Sequence, residues 1–163
     1  MHEFPRTLKF LTLWLLIATG LFIGAQAWQA RERQAQFAFE SGVVKLQRDR
    51  DGHFHWPGQV NGVAVDFIID TGATVTTLPH SLAVAAGLVA ERAVQSETAG
   101  GRVRGYVALA DLSLAGGVQV QHWHVAVLPA LTAPLIGMDL LSRMRFSQQE
   151  GVMRIESSVP PAR

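Results

Sequence analysis

Residues 67–74 read Phe67-Ile68-Ile69-Asp70-Thr71-Gly72-Ala73-Thr74. An apolar run leads into an aspartate, a hydroxyl residue and a glycine. Such a run is short and β-prone, so it predicts a buried strand that ends at Asp70. The carboxylate would then be held rigidly at the strand's water-accessible end. Gly72 lets the backbone turn sharply there and approach a neighbouring segment closely. Thr71 can hydrogen-bond across a seam, and Ala73 and Thr74 keep the turn small.

Working outward, His53–Val60 and Val63–Ile69 flank Asn61-Gly62. Asn-Gly between two such runs predicts a tight β-hairpin, because both central residues must take positive φ. Asp49–Gly52 suits a turn after a short strand at Val43–Leu46. Downstream, Pro79–Ala86 predicts about two helical turns, with Gly87 at the stop position. Strand-like runs follow at Val103–Leu109 and Val118–Leu128, separated by Ala115-Gly116-Gly117. Leu135-Ile136 is an apolar pair before Gly137. Asp139–Arg143 reads as a short helix capped by Asp139, and Val152–Ile155 as a last strand. Many short strands with one or two short helices make the domain all-β.

The wider composition narrows the function. Net charge is +1 over 163 residues, which gives no electrostatic case for nucleic acid. There is no cysteine, so thiolate catalysis, disulfides and cysteine-ligated zinc are excluded. Residues 10–30 carry no charge and match the length of a membrane-spanning helix. A cleaved signal peptide is the rival reading, with Ala25-Gln26-Ala27 as the small-x-small site. Both readings put the rest of the chain on the extracytoplasmic side. The expected organisation is residues 1–9 cytoplasmic, 10–30 a transmembrane anchor, 31–41 a polar linker, 42–157 the folded domain and 158–163 a flexible tail.

A carboxylate at the Asp70 position can activate water on an amide only beside a second acid. One group removes a proton from water while the other donates to the carbonyl oxygen. Two adjacent carboxyls do this by sharing one proton, since both cannot ionise side by side.

With these residues in view, the chain resembles the retropepsin-like aspartic peptidases, and more narrowly their bacterial single-span, membrane-anchored members. The resemblance runs from about Gly52 to Ile155. It rests on Asn61-Gly62, Ile69–Thr74, Thr76-Thr77-Leu78-Pro79, the helix ending at Gly87-Leu88, and Leu135-Ile136-Gly137-Met138-Asp139 in that order. It implies a closed β-barrel lobe with one or two short helices. It further implies an aspartic endopeptidase with Asp70 as the catalytic acid, braced by Thr71 and Gly72. Gly137 would pack beside the catalytic loop and, with Ala73 and Thr74, border the substrate. A flap tip is expected around Ala99, Gly100 and Gly101. No cofactor or metal is implied. Only one Asp-Thr-Gly occurs in the chain, so the second acid must come from another copy, and the implied form is a homodimer acting on an extended polypeptide.

Other readings compete. Asp70 is an ordinary turn aspartate if the second signature is fortuitous. A retropepsin fold can also bind peptides without cleaving them. His53-x-His55 and His122-x-His124 each place two imidazoles on one strand face, and two adjacent strands so equipped would make a zinc or copper site. Asp66 and Asp111 read as solvated strand or turn residues, and Trp56 and Trp123 as core or dimer-surface aromatics.

Overall fold

The structure, a computed structural model, describes residues 14–24, 37–40, 42–98 and 101–156. The chain divides into two compact units between Gln36 and Phe37. In the first, residues 14–24 form helix α1. Among the described residues no helix is long and apolar enough to cross a membrane. The rest of the span expected at 10–30, including Ala25-Gln26-Ala27, lies outside the described residues, as does the tail 158–163.

The second unit is mainly β. Its elements are β1 (Phe37–Glu40), β2 (Val43–Gln47), β3 (His55–Val60), β4 (Val63–Ile69), β5 (Thr77–Pro79), α2 (His80–Ala85), β6 (Arg92–Thr98), β7 (Gly101–Leu114), β8 (Val118–Leu128), β9 (Leu135–Ile136), α3 (Met138–Leu141), β10 (Arg145–Gln149) and β11 (Val152–Glu156). The larger sheet runs β3-β4-β9-β5-β8-β7-β6, and β3 also pairs with β7. That last pairing closes the first six strands into a barrel and leaves β6 outside it. A second sheet runs β1-β2-β11-β10.

Closure depends on a glycine. Gly58 lies opposite Leu114 in the β3–β7 pairing. A β-carbon on Gly58 would meet the Ser113 carbonyl oxygen at 2.7 Å, so the strands could not approach as they do. The hairpin turn follows its sequence signal: Asn61 has φ 48° and Gly62 φ 82°. Asn61 also ties the hairpin to its surroundings. Its Nδ2 donates to the Ala86 carbonyl at 3.0 Å, and its Oδ1 accepts from Asp111 N at 2.9 Å.

Barrel and small sheet share one core. Trp56, Val60, Phe67, Leu78, Ile136 and Leu141 are fully buried, together with Val44 and Ile155 from the small sheet. Trp56 spends its one polar atom on Ala115, whose carbonyl accepts the indole N–H at 2.8 Å. Trp56 is therefore core, as expected of it.

Several elements depart from the sequence reading. The three-residue β5 was not foreseen, nor were β6 and β10, and residues 37–40 form β1 inside the stretch expected to be linker, so the folded unit starts before Gly42. β1, β6 and β10 are end strands of their sheets. An edge strand need bury little on either face, so it carries no strong alternation of apolar and polar residues. β6, with Arg92, Gln95, Ser96 and Glu97 among its seven residues, is of this kind.

Phe67 sits fully buried in the strand that delivers Asp70. Phe67→Ala should lower unfolding free energy by about 3–5 kcal/mol. Urea denaturation would measure it, and a loss well below that range would mean the strand is not packed as described.

Candidate active site

β4 ends at Ile69, and Asp70 opens the loop that returns through β5. Strand β9 lies between β4 and β5, parallel to the first and antiparallel to the second. The loop 70–76 therefore bridges across β9, and Gly137 follows directly beneath the bridge. A β-carbon on Gly137 would meet the Val75 carbonyl carbon at 2.5 Å and its oxygen at 2.6 Å. Only glycine fits without moving backbone. Gly137 thus packs beside the loop, as the resemblance implied.

Backbone bonds lace the two segments. Asp70 N donates to Ile136 O at 3.0 Å, Met138 N to Ala73 O at 2.8 Å, and Asp139 N to Thr74 O at 3.1 Å. Within the loop, Ala73 N donates to Asp70 O at 3.2 Å, and Gly72 N donates to Asp70 Oδ1 at 2.8 Å. Asp70 is half-buried, and Gly72 N–H orients its carboxylate through Oδ1. Thr71, Gly72 and Thr74 are exposed at the tip and Ala73 is half-buried.

Asp139 does not do what its position suggested. Gly137 is the N-cap of α3, and Asp139 lies in the first turn. Its Oδ1 accepts from Thr76 N, Thr76 Oγ1 and Leu140 N, each at 2.9 Å. Its Oδ2 accepts from Trp123 Nε1 at 3.0 Å. Thr76 is fully buried, and its hydroxyl in turn accepts from Gly137 N at 3.3 Å. Sequence reasoning missed Thr76 and Trp123 as part of this arrangement. The one available signal was the pair Thr76-Thr77 between Val75 and Leu78, where a buried hydroxyl needs a partner.

Where the resemblance implied a flap, β6 and β7 form a hairpin with Thr98 opposite Gly101. Gly101 is placed at its end, with φ 103°. Ala99 and Gly100, expected at the same tip, lie outside the described residues. Next to the loop, an open groove of about 470 Å³ is lined by Val75, Gln121, His122, Trp123, His124, Asp139 and Arg143. Asp70 does not border it.

Comparison with known proteins identifies the family and the fold. The family described as "gag-polyprotein putative aspartyl protease" matches residues 56–143, just over half of the chain. The chain belongs to this family of retropepsin-like aspartyl proteases. The crystal structure of a retropepsin-like aspartic protease from Rickettsia conorii superposes with a TM-score of 0.56 at 25% identity, covering 73% of this chain and 93% of that one. A looser likeness is to the EIAV protease complexed with the inhibitor HBY-793, with a TM-score of 0.48 and 16% identity over 58% of this chain and 89% of that one. No curated protein matches the chain.

The histidines do not form the metal centre their spacing allowed. β3 and β8 are not neighbours in the barrel, so the two pairs have no common edge. A bulge between Ala110 and Leu112 breaks the alternation of β8, and His122 takes φ 52°. Acidic partners are present after all. His124 Nε2 lies 3.6 Å from Glu91, and Asp111 accepts from His122 N at 2.8 Å, so Asp111 is not merely solvated. Asp66 bonds His55 Nδ1 at 2.9 Å, and Asp51 bonds Nε2 at 2.9 Å. Asp49, Asp51 and His55 bring their donor atoms within 4.8 Å of one another, the one such group among the described residues. Both imidazole nitrogens of His55 face carboxylates, Asp66 on one side and Asp51 on the other, and form an ion-pair network.

Burial works against the charged form of His55, but Asp51 and Asp66 outweigh it and raise its pKa above the usual histidine value. His53 N–H and the His55 imidazole lower that of Asp51. A raised histidine stabilises the fold below its unfolded value and loses that contribution as pH rises through its folded value. Wild type should therefore exceed His55→Gln in stability by more at roughly pH 6 than at roughly pH 8, by about 1 kcal/mol or less for pairs this exposed. Thermal melts at both pH values check the sign, and a gap that widens with pH would contradict the network.

Proposed function

We propose that the chain is an aspartic endopeptidase whose active form is a homodimer with one Asp70 from each subunit. The observation that carries this is a single, half-buried Asp70 at the end of β4, fixed by Gly72 N–H on one oxygen, in a chain of the aspartyl protease family. One carboxyl cannot act as base and acid in the same step. The exposed Thr71-Gly72 tip beside the half-buried Asp70 supports a two-fold contact that brings the two carboxyls together, an isologous arrangement.

In this reading the Asp70 pair shares one proton. The ionised carboxylate takes a proton from water as that water attacks the scissile carbonyl carbon. The protonated carboxyl donates to the carbonyl oxygen, giving a neutral tetrahedral diol. The carboxyl that took the water's proton then gives it to the amide nitrogen while the ionised carboxylate removes a proton from a diol hydroxyl; the C–N bond breaks, acid and amine leave, and the pair again holds one proton. No covalent enzyme intermediate forms. Thr71 and Gly72 brace the loop, and Ala73, Thr74 and Gly137 border the substrate. The flap, with Ala99, Gly100 and Gly101 at its tip, closes over an extended polypeptide held through its backbone.

Residues 10–30 would anchor the domain in a membrane, with the peptidase on the extracytoplasmic, periplasmic side. Support comes from their uncharged sequence and from helix α1, where Trp14, Leu16, Leu21 and Phe22 are exposed. Anchoring two copies in one bilayer would raise their effective concentration.

Asp70→Asn tests the assignment. It is nearly isosteric, keeps an oxygen for Gly72 N–H, and removes the shared proton. Cleavage of a mixed peptide library should fall on the order of 10³-fold or more, since acid–base assistance and water activation are lost together. Equal cleavage by variant and wild type would remove Asp70 from the mechanism.

A further inference from the structure

We propose that Asp139 is a positioning residue for the catalytic loop, acting through Thr76, and that it must be a carboxylate rather than an amide. The inference rests on Asp70 being the catalytic acid, and it concerns how Asp70 is held.

Asp139 is met by Thr76 N, Thr76 Oγ1 and Leu140 N on one oxygen and by Trp123 Nε1 on the other. A main-chain amide and an indole can only donate. The Thr76 hydroxyl donates its one hydrogen to Oδ1 while its oxygen accepts from Gly137 N. All four partners thus demand acceptors, and only an ionised carboxylate offers acceptors on both sides. A helix cap would need one.

Thr76 is fully buried at the end of the loop that begins with Asp70. On the other side of the loop, Asp139 N donates to Thr74 O, and Met138 N to Ala73 O. The Asp139 side chain and backbone therefore grip Thr74 and Thr76 from one residue. Asp70 itself is tied to Ile136, two peptide bonds before Met138. Both ends of the loop are referenced to the same short segment, 136–139. The Trp123 bond extends the grip to β8, and Arg143 lies over the Trp123 ring at 4.4 Å, which restrains the indole.

Asparagine at this position cannot satisfy the four donors. With its oxygen on the Thr76 side, its NH₂ faces the indole N–H, donor against donor. Turned over, it faces Thr76 N and Leu140 N instead. Relief of that conflict gives the test a signature that general destabilisation does not share.

Full-chain Asp139→Asn, Trp123→Phe, their double variant, Thr76→Val and Thr76→Ser are assayed on the peptide library, with kcat expressed per folded molecule. Asp139→Asn and Thr76→Val should each lower kcat on the order of 10-fold to 100-fold, the scale of a displaced reacting group, with KM changed by less than about 3-fold. Thr76→Ser, which keeps the hydroxyl, should restore most of kcat. Adding Trp123→Phe to Asp139→Asn should recover activity relative to Asp139→Asn alone, a coupling that independent sites do not give. Unchanged kcat in both Asp139→Asn and Thr76→Val overturns the inference, as does a double variant no better than the product of its singles. Should Asp139→Asn fail to fold, the Thr76→Val and Thr76→Ser pair decides alone. Asp70→Asn runs in the same assay: if it cleaves normally, the catalytic reading fails. If it is dead while the Asp139 and Thr76 variants keep full kcat, only the positioning role fails.

Discussion

The loop that presents Asp70 and the strand β9 occupy neighbouring space with no room to spare. β9 lies between the strands that enter and leave the loop, and Gly137 touches the Val75–Thr76 peptide at a distance no side chain allows. From that close contact follow the bonds from Asp70 N to Ile136 and from Met138 N to Ala73, and the burial of Thr76. A carboxylate must remain within hydrogen-bond reach of its partner throughout a reaction. Such placement needs a loop whose ends are fixed by several independent bonds, and it favours a site supported by strands over one on a free loop. The barrel, closed by Gly58 against Ser113, is the frame that makes this rigidity available.

The chemistry is limited in turn by symmetry. One chain offers a single Asp-Thr-Gly, and amide hydrolysis by a carboxyl needs a base and an acid at once. Two identical carboxyls become unlike by sharing a proton, so a two-fold assembly yields a functionally unsymmetrical pair. Dimerisation on this account is part of the mechanism. The exposed tip at Thr71 and Gly72 is the surface through which it would act.

Much of the barrel was legible in the sequence because its central strands bury side chains on a regular pattern. The run into Asp70, the Asn61-Gly62 turn, the β7–β8 pair and the Leu135-Ile136-Gly137 segment all carry local signals that tertiary packing reinforces. The end strands β6 and β10 carried no such signal, since most of their residues meet solvent. Asp139 was misread for a different reason. A carboxylate near a helix start bonds local amides by default, and sequence spacing does not show that Thr76 and Trp123 converge on it from 63 and 16 residues away. The histidine pairs failed as a centre because strand order, which periodicity does not reveal, keeps β3 and β8 apart.

The dependence of turnover on assembly tests the central claim most directly. Specific activity of the full chain in detergent, followed across protein concentration alongside sedimentation equilibrium, should rise in step with the dimer fraction and vanish on dilution into monomer. A strictly monomeric population that hydrolyses polypeptide at undiminished rate per chain would contradict it.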